Sequence, residues 1–353
     1  MNHRWTITVF LLVIFLSGKT QNAPVTSLAE YCNLQAGEIY IPVTVTSYNQ
    51  IGAGSLTLEY DPAVMTFLEG IKNPALTGLF AAGDNPVPSG MRRIIIGWFG
   101  NAVSLPDGSA LVTLRFSFIG GTTNLTWIDD GSSCEYTDGE YNAVNDSPYE
   151  CYYVNGVVTS DKRLNLSFFL EGIYNPVTHR MSSPLGFSSG PCSEGIADNI
   201  QVELHSAADY SNIVFTNASG TVDMQGNSGM LVPASFNGSY YITIRHRNSI
   251  ETVSALPVSF AGNVISYDFT DQAAKAFGNN MIQMSDGKWA FYAGDVNQDG
   301  SVDTADMSPV DNDSNSFASG YLATDTNGDG MVDTADMSIV DNNAAVFAGS
   351  LTP

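Results

Sequence analysis

The chain has 353 residues, of which 44% are hydrophobic and only 14% are charged. Its 36 acidic residues outnumber 13 basic residues and give a formal net charge of −23. This balance argues against nucleic acid or anionic membrane as a partner, because phosphate binding needs clustered Lys and Arg. The length suffices for two or three domains, each with its own core.

The N-terminal residues are typical of an export signal. An apolar stretch runs from Trp5 to Leu16 behind a positive start at Arg4, and small residues follow it. Twelve apolar residues are too few to span a bilayer comfortably as a helix. We therefore predict a signal peptide over residues 1–22, with a signal anchor as the alternative, and a secreted or cell-surface protein. No transmembrane segment is expected in the mature chain.

Export makes the cysteines candidates for disulfide bonds. They are Cys32, Cys134, Cys151 and Cys192. Three complete pairings are possible, and the sequence does not choose among them. The nearest pair, Cys134 and Cys151, would staple a loop rich in Tyr and Asp. No C-x-x-C spacing occurs, which argues against zinc and redox sites.

Short apolar strands separated by Gly, Pro, Asn and Asp fill residues 38–159. The period of two is clearest in Ile39, Ile41, Val43 and Val45. Further strands are predicted at 56–60, 94–98, 111–118 and 154–158. This pattern predicts an antiparallel β-sandwich. Trp98 and Trp127 fall within apolar strand patterns and are predicted to lie in the core.

Tyrosines crowd the loop near Cys134 and Cys151. They are Tyr136, Tyr141, Tyr149, Tyr152 and Tyr153. These rings could stack on sugars, which leaves carbohydrate binding open as an alternative for this domain. Loop packing is the commoner use of such residues, because a tyrosine combines an apolar ring with a polar tip.

A polar break at 160–163 precedes a second β-rich segment that runs to about Tyr292. Strands are predicted at 164–170, 202–204, 240–247 and 256–260, and one brief helix at 271–277. His246 lies between two arginines and is predicted to be a surface residue rather than a catalyst. The chain lacks an H-E-x-x-H helix, a G-x-S-x-G elbow and a phosphate loop, so we expect no enzyme. A paired-carboxylate glycoside hydrolase stays open as an alternative.

A close internal repeat follows. Residues 295–318 and 325–348 are identical at 16 of 24 positions, which implies two copies of one unit. The copies begin DVNQDGSVDTAD and DTNGDGMVDTAD. Eleven Asp residues lie between Asp295 and Asp341, and no Lys or Arg follows Lys288. Carboxylates at this density repel one another unless a cation neutralises them.

The spacing in each copy is that of a twelve-residue calcium loop, in which oxygen ligands converge on one ion. We predict two Ca²⁺ sites. The first site comprises Asp295, Asn297, Asp299, the backbone carbonyl of Ser301, Asp303 and Asp306. The second comprises Asp325, Asn327, Asp329, the backbone carbonyl of Met331, Asp333 and Asp336. Position nine often acts through water, and the glycine at position six permits the sharp turn.

Three further expectations concern the geometry of this repeat. Val302 and Val332, both at position eight, are expected to pair across the two loops in a small shared core. Position twelve is Asp rather than Glu, so the helix that carries it must lie closer to the ion. Pro309 falls early in the first exit helix, where the second copy has Ile339, so that helix must start late or kink.

The duplicated loop, each copy followed but not preceded by a helix, resembles the dockerin module of bacterial cellulosome-type assemblies. The resemblance implies a plug that calcium folds and that docks onto a cohesin module. It also implies that loop positions ten and eleven help to choose the partner. These positions hold Thr304, Ala305, Thr334 and Ala335. Identical pairs are compatible with docking in either of two orientations, although the basic residues of many dockerin helices are absent here.

The first β segment is similar to a cohesin module in the phrases IPVTVTSYNQIGAGSLTLEYDPAVMTF, IIIGWFG, LPDGSALVTLRFSFIG and VNGVVT. This resemblance implies a nine-strand jelly-roll sandwich with one flat face that binds dockerins. A spacer without binding activity is the alternative. The middle segment, through NLSFFLEGIYN and SYDFT, resembles prealbumin- or immunoglobulin-type sandwiches of secreted Bacteroidetes proteins. No activity follows from that resemblance.

We therefore predict a mainly β protein with four parts. They are the signal peptide (1–22), a cohesin-like β-sandwich (25–160), a second β-sandwich (161–293) and a small α-helical dockerin-like calcium module (294–353). The expected function is a secreted, non-catalytic adaptor or scaffold that assembles with cohesin- or dockerin-bearing proteins and is linked to polysaccharide breakdown. A carbohydrate-binding or glycoside-hydrolase accessory protein and a cell-surface adhesin are the alternatives.

Overall fold

The computed structural model describes residues 21–128, 130–187, 192 and 195–353. The predicted signal peptide lies almost wholly outside these residues. Within them, no helix is both long enough and apolar enough to cross a membrane. The chain is mainly β, with two α-helices near its C-terminal end, which confirms the predicted fold class.

The described residues of the first sandwich form twelve strands. They are β1 (Val25–Ser27), β2 (Glu30–Tyr31), β3 (Gly37–Thr46), β4 (Ile51–Tyr60), β5 (Met65–Lys72), β6 (Leu79–Pro86), β7 (Arg92–Val103), β8 (Ser109–Phe118), β9 (Thr122–Trp127), β10 (Glu135–Asp138), β11 (Tyr153–Val154) and β12 (Gly156–Thr159). One sheet has the order β11-β1-β3-β8-β5. The other has the order β2-β12-β9-β4-β7-β6, with β10 paired to β4. The pairs β1–β11 and β2–β12 are parallel, so the sheets are mixed rather than wholly antiparallel.

Alternation along the strands builds the core between these two sheets. Ile41 and Val43 of β3 are buried, as are Trp98 of β7 and Trp127 at the end of β9, which confirms the core prediction for the two tryptophans. Burying one large apolar side chain contributes roughly 1.5–3 kcal/mol. The sandwich is therefore held mainly by contact between the two inner faces.

The described residues of the middle segment form another twelve strands. They are β13 (Lys162–Ser167), β14 (Tyr174–Asn175), β15 (Arg180–Met181), β16 (Ile196–Ser206), β17 (Ile213–Asp223), β18 (Asn227–Val232), β19 (Ser239–His246), β20 (Ser249–Val253), β21 (Val258–Ser259), β22 (Val264–Asp268), β23 (Ile282–Gln283) and β24 (Trp289–Ala290). The two main sheets have the orders β18-β13-β22 and β17-β16-β19-β20, with β21 paired to β19. The strands β13 and β22 run parallel.

The helix predicted at 271–277 is absent from the structure. Two short 3₁₀ helices occupy this region, Ala273–Lys275 and Phe277–Asn279. Ala276, between them, has an extended backbone with φ −95° and ψ 147°, so the chain cannot continue helically there. The Lys275 carbonyl accepts a hydrogen bond from the Tyr267 hydroxyl rather than continuing a helix.

One disulfide joins the first sandwich to the middle segment. It links Cys151 to Cys192, whose Cα atoms lie 5.2 Å apart. The structure thus differs from a Cys134–Cys151 staple, because the Cys134 thiol lies inside the first sandwich against the backbone of Thr57. Cys32 is not in a disulfide.

The C-terminal segment forms a small unit around helices α1 (Thr304–Asn315) and α2 (Thr334–Ala345). Its buried core is made of Val302, Val310, Val332, Val340 and Ala348, together with Ile250 of the middle segment. Because β20 contributes this isoleucine, the small unit completes its core on the neighbouring sheet.

Candidate calcium-binding and docking module

The position-one carboxylate organises the turn of each loop. The Gly300 N–H donates to Asp295 Oδ2 at 3.1 Å, and the Gly330 N–H donates to Asp325 Oδ2 at 3.0 Å. Both glycines have positive φ angles, +89° and +86°, which side chains with a Cβ rarely adopt. The glycine at position six is therefore required by the turn itself.

The position-twelve carboxylate reaches back from the helix to the beginning of its loop. Asp306 Oδ1 accepts hydrogen bonds from the backbone N–H groups of Val296 at 2.9 Å and Asn297 at 3.1 Å. Asp336 Oδ1 accepts the equivalent bonds at 2.7 and 3.0 Å. The shorter Asp side chain can do this because the helix begins directly after position nine.

Position nine caps the helix in both copies. The side chains of Asp303 and Asp333 accept hydrogen bonds from the N–H groups of Ala305 and Ala335, each at 2.6 Å. The carboxylate of the following Asp at position twelve bonds back to the cap N–H, which completes a capping box. Both cap side chains are exposed. Their other carboxylate oxygen fits the water-mediated role predicted for position nine.

The residues at loop positions three and five are hydrogen-bonded to each other. In the first loop the Asp299 N–H donates to Asn297 Oδ1 at 2.7 Å, while Asn297 Nδ2 donates to Asp299 Oδ2 at 3.1 Å. The second loop repeats the pair in Asn327 and Asp329 at 2.7 and 3.2 Å. At position seven, the thioether side chain of Met331 is exposed, so only its backbone carbonyl is suited to a calcium site. The equivalent group in the first loop is the carbonyl of residue 301.

The carboxylates at positions one and twelve are buried in both loops. They are Asp295, Asp306, Asp325 and Asp336. Burial, together with the neighbouring carboxylates of Asp306 and Asp299, raises the pKa of Asp295 to about 6. Burial also raises the pKa of Asp306 and of Asp325. A buried group of acids that repel one another fits a divalent cation held by oxygen ligands.

The carboxylates do not by themselves form a closed metal cluster. Among the described residues, no group of three His, Cys, Asp or Glu side chains is arranged to hold a metal. A calcium ion would therefore draw the carboxylates at positions one, five and twelve toward it, with Asn and backbone oxygens completing the set. Both loops offer the same oxygen donors for this purpose.

The two helices match in register, which contradicts the late start expected from Pro309. Each helix has twelve residues and begins one residue after its capping Asp, so α1 does not start late. Pro309 lies inside α1, where it removes one backbone donor. The capping box fixes the start of the helix upstream of the proline, which explains why the register is kept.

Val302 and Val332 share a core, but they do not pair with each other through their backbones. Both side chains lie in the shared core, as predicted. Their backbones, however, pair elsewhere. The Val302 N–H donates to Ala348 O at 2.8 Å, and the Val332 N–H donates to Ala318 O at 3.0 Å. Each loop is thus bonded to the segment that follows the helix of the other repeat.

The predicted partner-binding residues occupy equivalent exposed positions. Thr304 and Ala305 are the first two residues of α1, and Thr334 and Ala335 are the first two of α2. All four are exposed. Their role in partner binding remains a prediction.

Contacts from the middle segment hold the second loop, and no pattern in the sequence predicted them. Asn248 Nδ2 donates to Ala323 O at 3.1 Å and to Asp325 O at 3.2 Å. Arg247 Nη1 also donates to Asp325 O, at 3.0 Å, and to Leu322 O. The first residue of the second loop is therefore fixed through its carbonyl by two side chains of the β19–β20 turn.

The prediction that His246 is a surface residue is wrong. The ring is buried, with Nε2 3.0 Å from Asp198 Oδ2 and Nδ1 3.0 Å from Ser249 Oγ. Burial lowers the pKa of His246 despite the neighbouring carboxylate. Alternation along β19 turns this position inward, while Arg247 beyond the strand end reaches the C-terminal module.

Most of the tyrosines near the disulfide pack within the first sandwich. Tyr136 and Tyr153 are buried and stack on each other with centroids 6.4 Å apart. Tyr141 and Tyr149 are exposed, and Tyr141 stacks on Phe99 at 4.8 Å. The five rings therefore do not form one exposed sugar platform.

Sequence comparison assigns the repeat to a known family. Residues 293–344 match the family model of the Dockerin type I domain. The C-terminal segment is a dockerin-like module. This match confirms the predicted resemblance and supports calcium binding by the dockerin-like module, since type I dockerin domains generally bind calcium. No curated protein matches the chain.

The first sandwich is similar to cohesin modules in solved structures. The type I Coh-OlpA–Doc918 complex of Clostridium thermocellum matches at 14% identity and a TM-score of 0.32, over 39% of this chain and 99% of that chain. The cohesin CaCohA2 of Clostridium acetobutylicum matches at 17% identity and 0.32, over 39% and 91%. A non-cellulosomal cohesin of the archaeon Archaeoglobus fulgidus matches at 20% identity and 0.30, over 38% and 89%.

Proposed function

We propose that this protein is a secreted, non-catalytic adaptor whose dockerin-like module is folded by two calcium ions and docks onto a cohesin-bearing partner. One observation carries the proposal. Two equivalent loops bury four Asp carboxylates beneath two helices whose first residues are exposed. Calcium would neutralise the carboxylates and fix both helices, so docking would require the ion. The cohesin-like sandwich would in turn receive dockerin-bearing proteins.

The hydrogen bonds of the two buried histidines favour an adaptor over an enzyme. His205 and His246 are buried, and both rings are hydrogen-bonded on both nitrogens. Such rings are positioned as structural groups rather than as proton donors to a substrate. The cohesin and dockerin resemblances likewise indicate interaction modules.

Calcium titration into the full chain tests the metal assignment. We expect two ions per chain by calorimetry and a higher melting temperature with calcium than with EDTA. An ion at about one hundred times its Kd stabilises the folded state by about 2.7 kcal/mol. A melting curve that EDTA leaves unchanged would refute the two sites.

A pull-down from the native secretome tests the docking assignment, with the full chain as bait in calcium or in EDTA. Calcium-dependent recovery of a protein with a cohesin or dockerin module is the expected result. Recovery of no such protein would count against the adaptor. Immunodetection in the culture supernatant and at the cell surface tests secretion in the same cells.

The proposed link to polysaccharide breakdown comes from the resemblance to cellulosome-type assemblies. Affinity gels and reducing-sugar release over a glycan panel test it. Retention by a glycan without sugar release would fit a binding accessory. Sugar release by the purified chain would overturn the non-catalytic assignment.

A further inference from the structure

The two calcium loops have nearly the same sequence, but they are not equally buried. Positions two, four and six of the second loop are buried, at Thr326, Gly328 and Gly330. The same positions of the first loop are half-buried or exposed. The hydrogen bonds within the two loops are equivalent, so the difference comes from what each loop contacts outside its own repeat.

Apolar side chains of the middle segment pack directly on the second loop. A Cβ added at Gly328 would lie 2.8 Å from Ile173 Cγ2, and one added at Gly330 would lie 2.6 Å from Leu185 Cβ. At position six of the first loop an added Cβ would make only an ordinary contact, at 3.5 Å. This close approach explains why position four is glycine in the second loop, whereas the first loop has Gln298 there.

Hydrogen bonds from the middle segment also fix the backbone of the second loop. The Leu185 N–H donates to Gly328 O at 3.0 Å. With the bonds from Arg247 and Asn248 to Asp325 O, the carbonyl groups at positions one and four both accept from the middle segment. The first loop instead reaches the middle segment through a side chain of its own, because Gln298 Nε2 donates to the carbonyl of residue 249 at 3.4 Å.

A loop that is already held in place loses less conformational freedom when an ion binds. Rigidity of the loop is one of the properties that set calcium affinity, and preorganisation strengthens binding by lowering the cost of ordering. The positive charge of Arg247 acts in the opposite direction, since it repels a cation near Asp325. That charge is balanced by the buried carboxylate of Asp198, 3.2 Å from Arg247 Nε.

We infer that the two calcium sites are unequal, because the middle segment holds the second loop in its folded form before calcium binds. The second site fills first and empties last, and the first site responds to changes in calcium concentration. This inference rests on the proposed binding of two calcium ions. Between the two dissociation constants, the start of α2 at Thr334 is fixed by its ion while the start of α1 at Thr304 is not.

Hydrogen–deuterium exchange of the full wild-type chain tests whether the second loop is held without calcium. In EDTA, the amides of residues 326–333 exchange more slowly than those of residues 296–303. The near-identical sequences give the two loops similar intrinsic exchange rates, so each loop is the control for the other. In calcium, both loops are protected. Equal exchange of the two loops in EDTA overturns the inference.

Calorimetric titration of calcium into the full chain tests the order of filling. The two dissociation constants differ by about tenfold or more, and a tenfold ratio corresponds to about 1.4 kcal/mol. Asp325→Asn removes the tight step and leaves the weak one, while Asp295→Asn removes the weak step. A tight step that survives D325N and disappears in D295N overturns the inference.

The contribution of the middle segment is tested by Asn248→Ala, which removes two hydrogen bonds to the second repeat and no calcium ligand. The tight dissociation constant rises about tenfold, and the weak one is unchanged. The matched control is N342A, at an exposed asparagine of α2, which leaves both constants unchanged. G328Q gives the second loop the residue of the first and weakens the tight site without altering Asn248. Equal weakening of both sites by N248A and by G328Q contradicts the inference.

These outcomes are separate from those of the proposed function. Two ions bound with equal affinity, together with equal exchange in EDTA, overturn the inequality and leave the calcium assignment intact. A chain that binds no calcium overturns both.

Discussion

The guanidinium carbon of Arg247 lies 4.7 Å from the centre of the Tyr321 ring. The same arginine pairs with the buried carboxylate of Asp198, at 3.2 Å, and Asp198 also accepts a hydrogen bond from the Tyr321 hydroxyl. A residue of the middle segment and a residue just before the second calcium loop are thus held by one buried carboxylate. The two parts of the molecule should unfold together.

Replacement of Arg247 by Ala tests this coupling. The change leaves Asp198 buried without its arginine, and loss of one partner of a buried pair costs about 3–5 kcal/mol. Denaturant unfolding in calcium measures the loss. Exposed Arg180 provides the control, since R180A should change stability by no more than about 0.5 kcal/mol. Equal effects of the two variants would contradict the coupling.

Each predicted calcium site should be removable without the other. Asp325→Asn removes a buried carboxylate from the second loop, so calorimetry should count one ion per chain instead of two. Asp295→Asn should remove the other ion. The exposed Asp341 lies outside both loops, and D341N should keep two ions. Two ions bound by D325N would rule out the assigned ligand.

Calcium and protons should act in opposite directions on the dockerin-like module. Because the pKa of Asp295 is raised to about 6 in the calcium-free fold, that fold binds a proton more tightly than the unfolded chain. This contribution to stability is present at low pH and is lost as the pH rises through about 6. Calcium needs the deprotonated carboxylate, so its stabilising effect should shrink as the pH falls through the same range.

Melting temperatures in calcium and in EDTA, measured at about pH 5 and about pH 7.5, test this expectation. The difference between the two conditions should be larger at the higher pH. A difference that is constant across this range would show that Asp295 does not exchange its proton for the ion.

The disulfide between Cys151 and Cys192 should stabilise the chain chiefly by restricting its unfolded state. The two residues are 41 positions apart, for which chain-entropy reasoning gives about 4 kcal/mol. Denaturant unfolding of C151S/C192S measures the loss. Cys32 is outside the disulfide, so C32S is the matched control and should unfold like the wild type.

The sequence was most informative where contacts are local. Loop spacing located the sharp turns at Gly300 and Gly330, because these depend on residues within one loop. Alternation located the long strands β3, β4, β7 and β8 of the first sandwich and the burial of Trp98. The local pattern at 271–277 predicted a helix, but the extended backbone of Ala276 prevents one from forming there.

Contacts between distant segments could not be predicted. The bond from the Val332 N–H to Ala318 O depends on how two repeats pack, and either valine would look the same in an isolated loop. Asn248 donates hydrogen bonds to backbone carbonyl groups around the start of the second repeat. Every residue has such a group, so the sequence does not indicate which ones are contacted. His246 looked exposed because its neighbours are arginines, whereas its burial depends on Asp198 of another strand.

The bond between Cys151 and Cys192 also changes how the molecule would carry tension. If the first sandwich and the dockerin-like module are held by different bodies, a pulling force crosses the chain through the two sulfur atoms. The 41-position segment that the bond closes then bears no load along its backbone. Full extension is shortened by about 140 Å, at roughly 3.4 Å per residue. The disulfide therefore sets a limit on how far the two ends can separate.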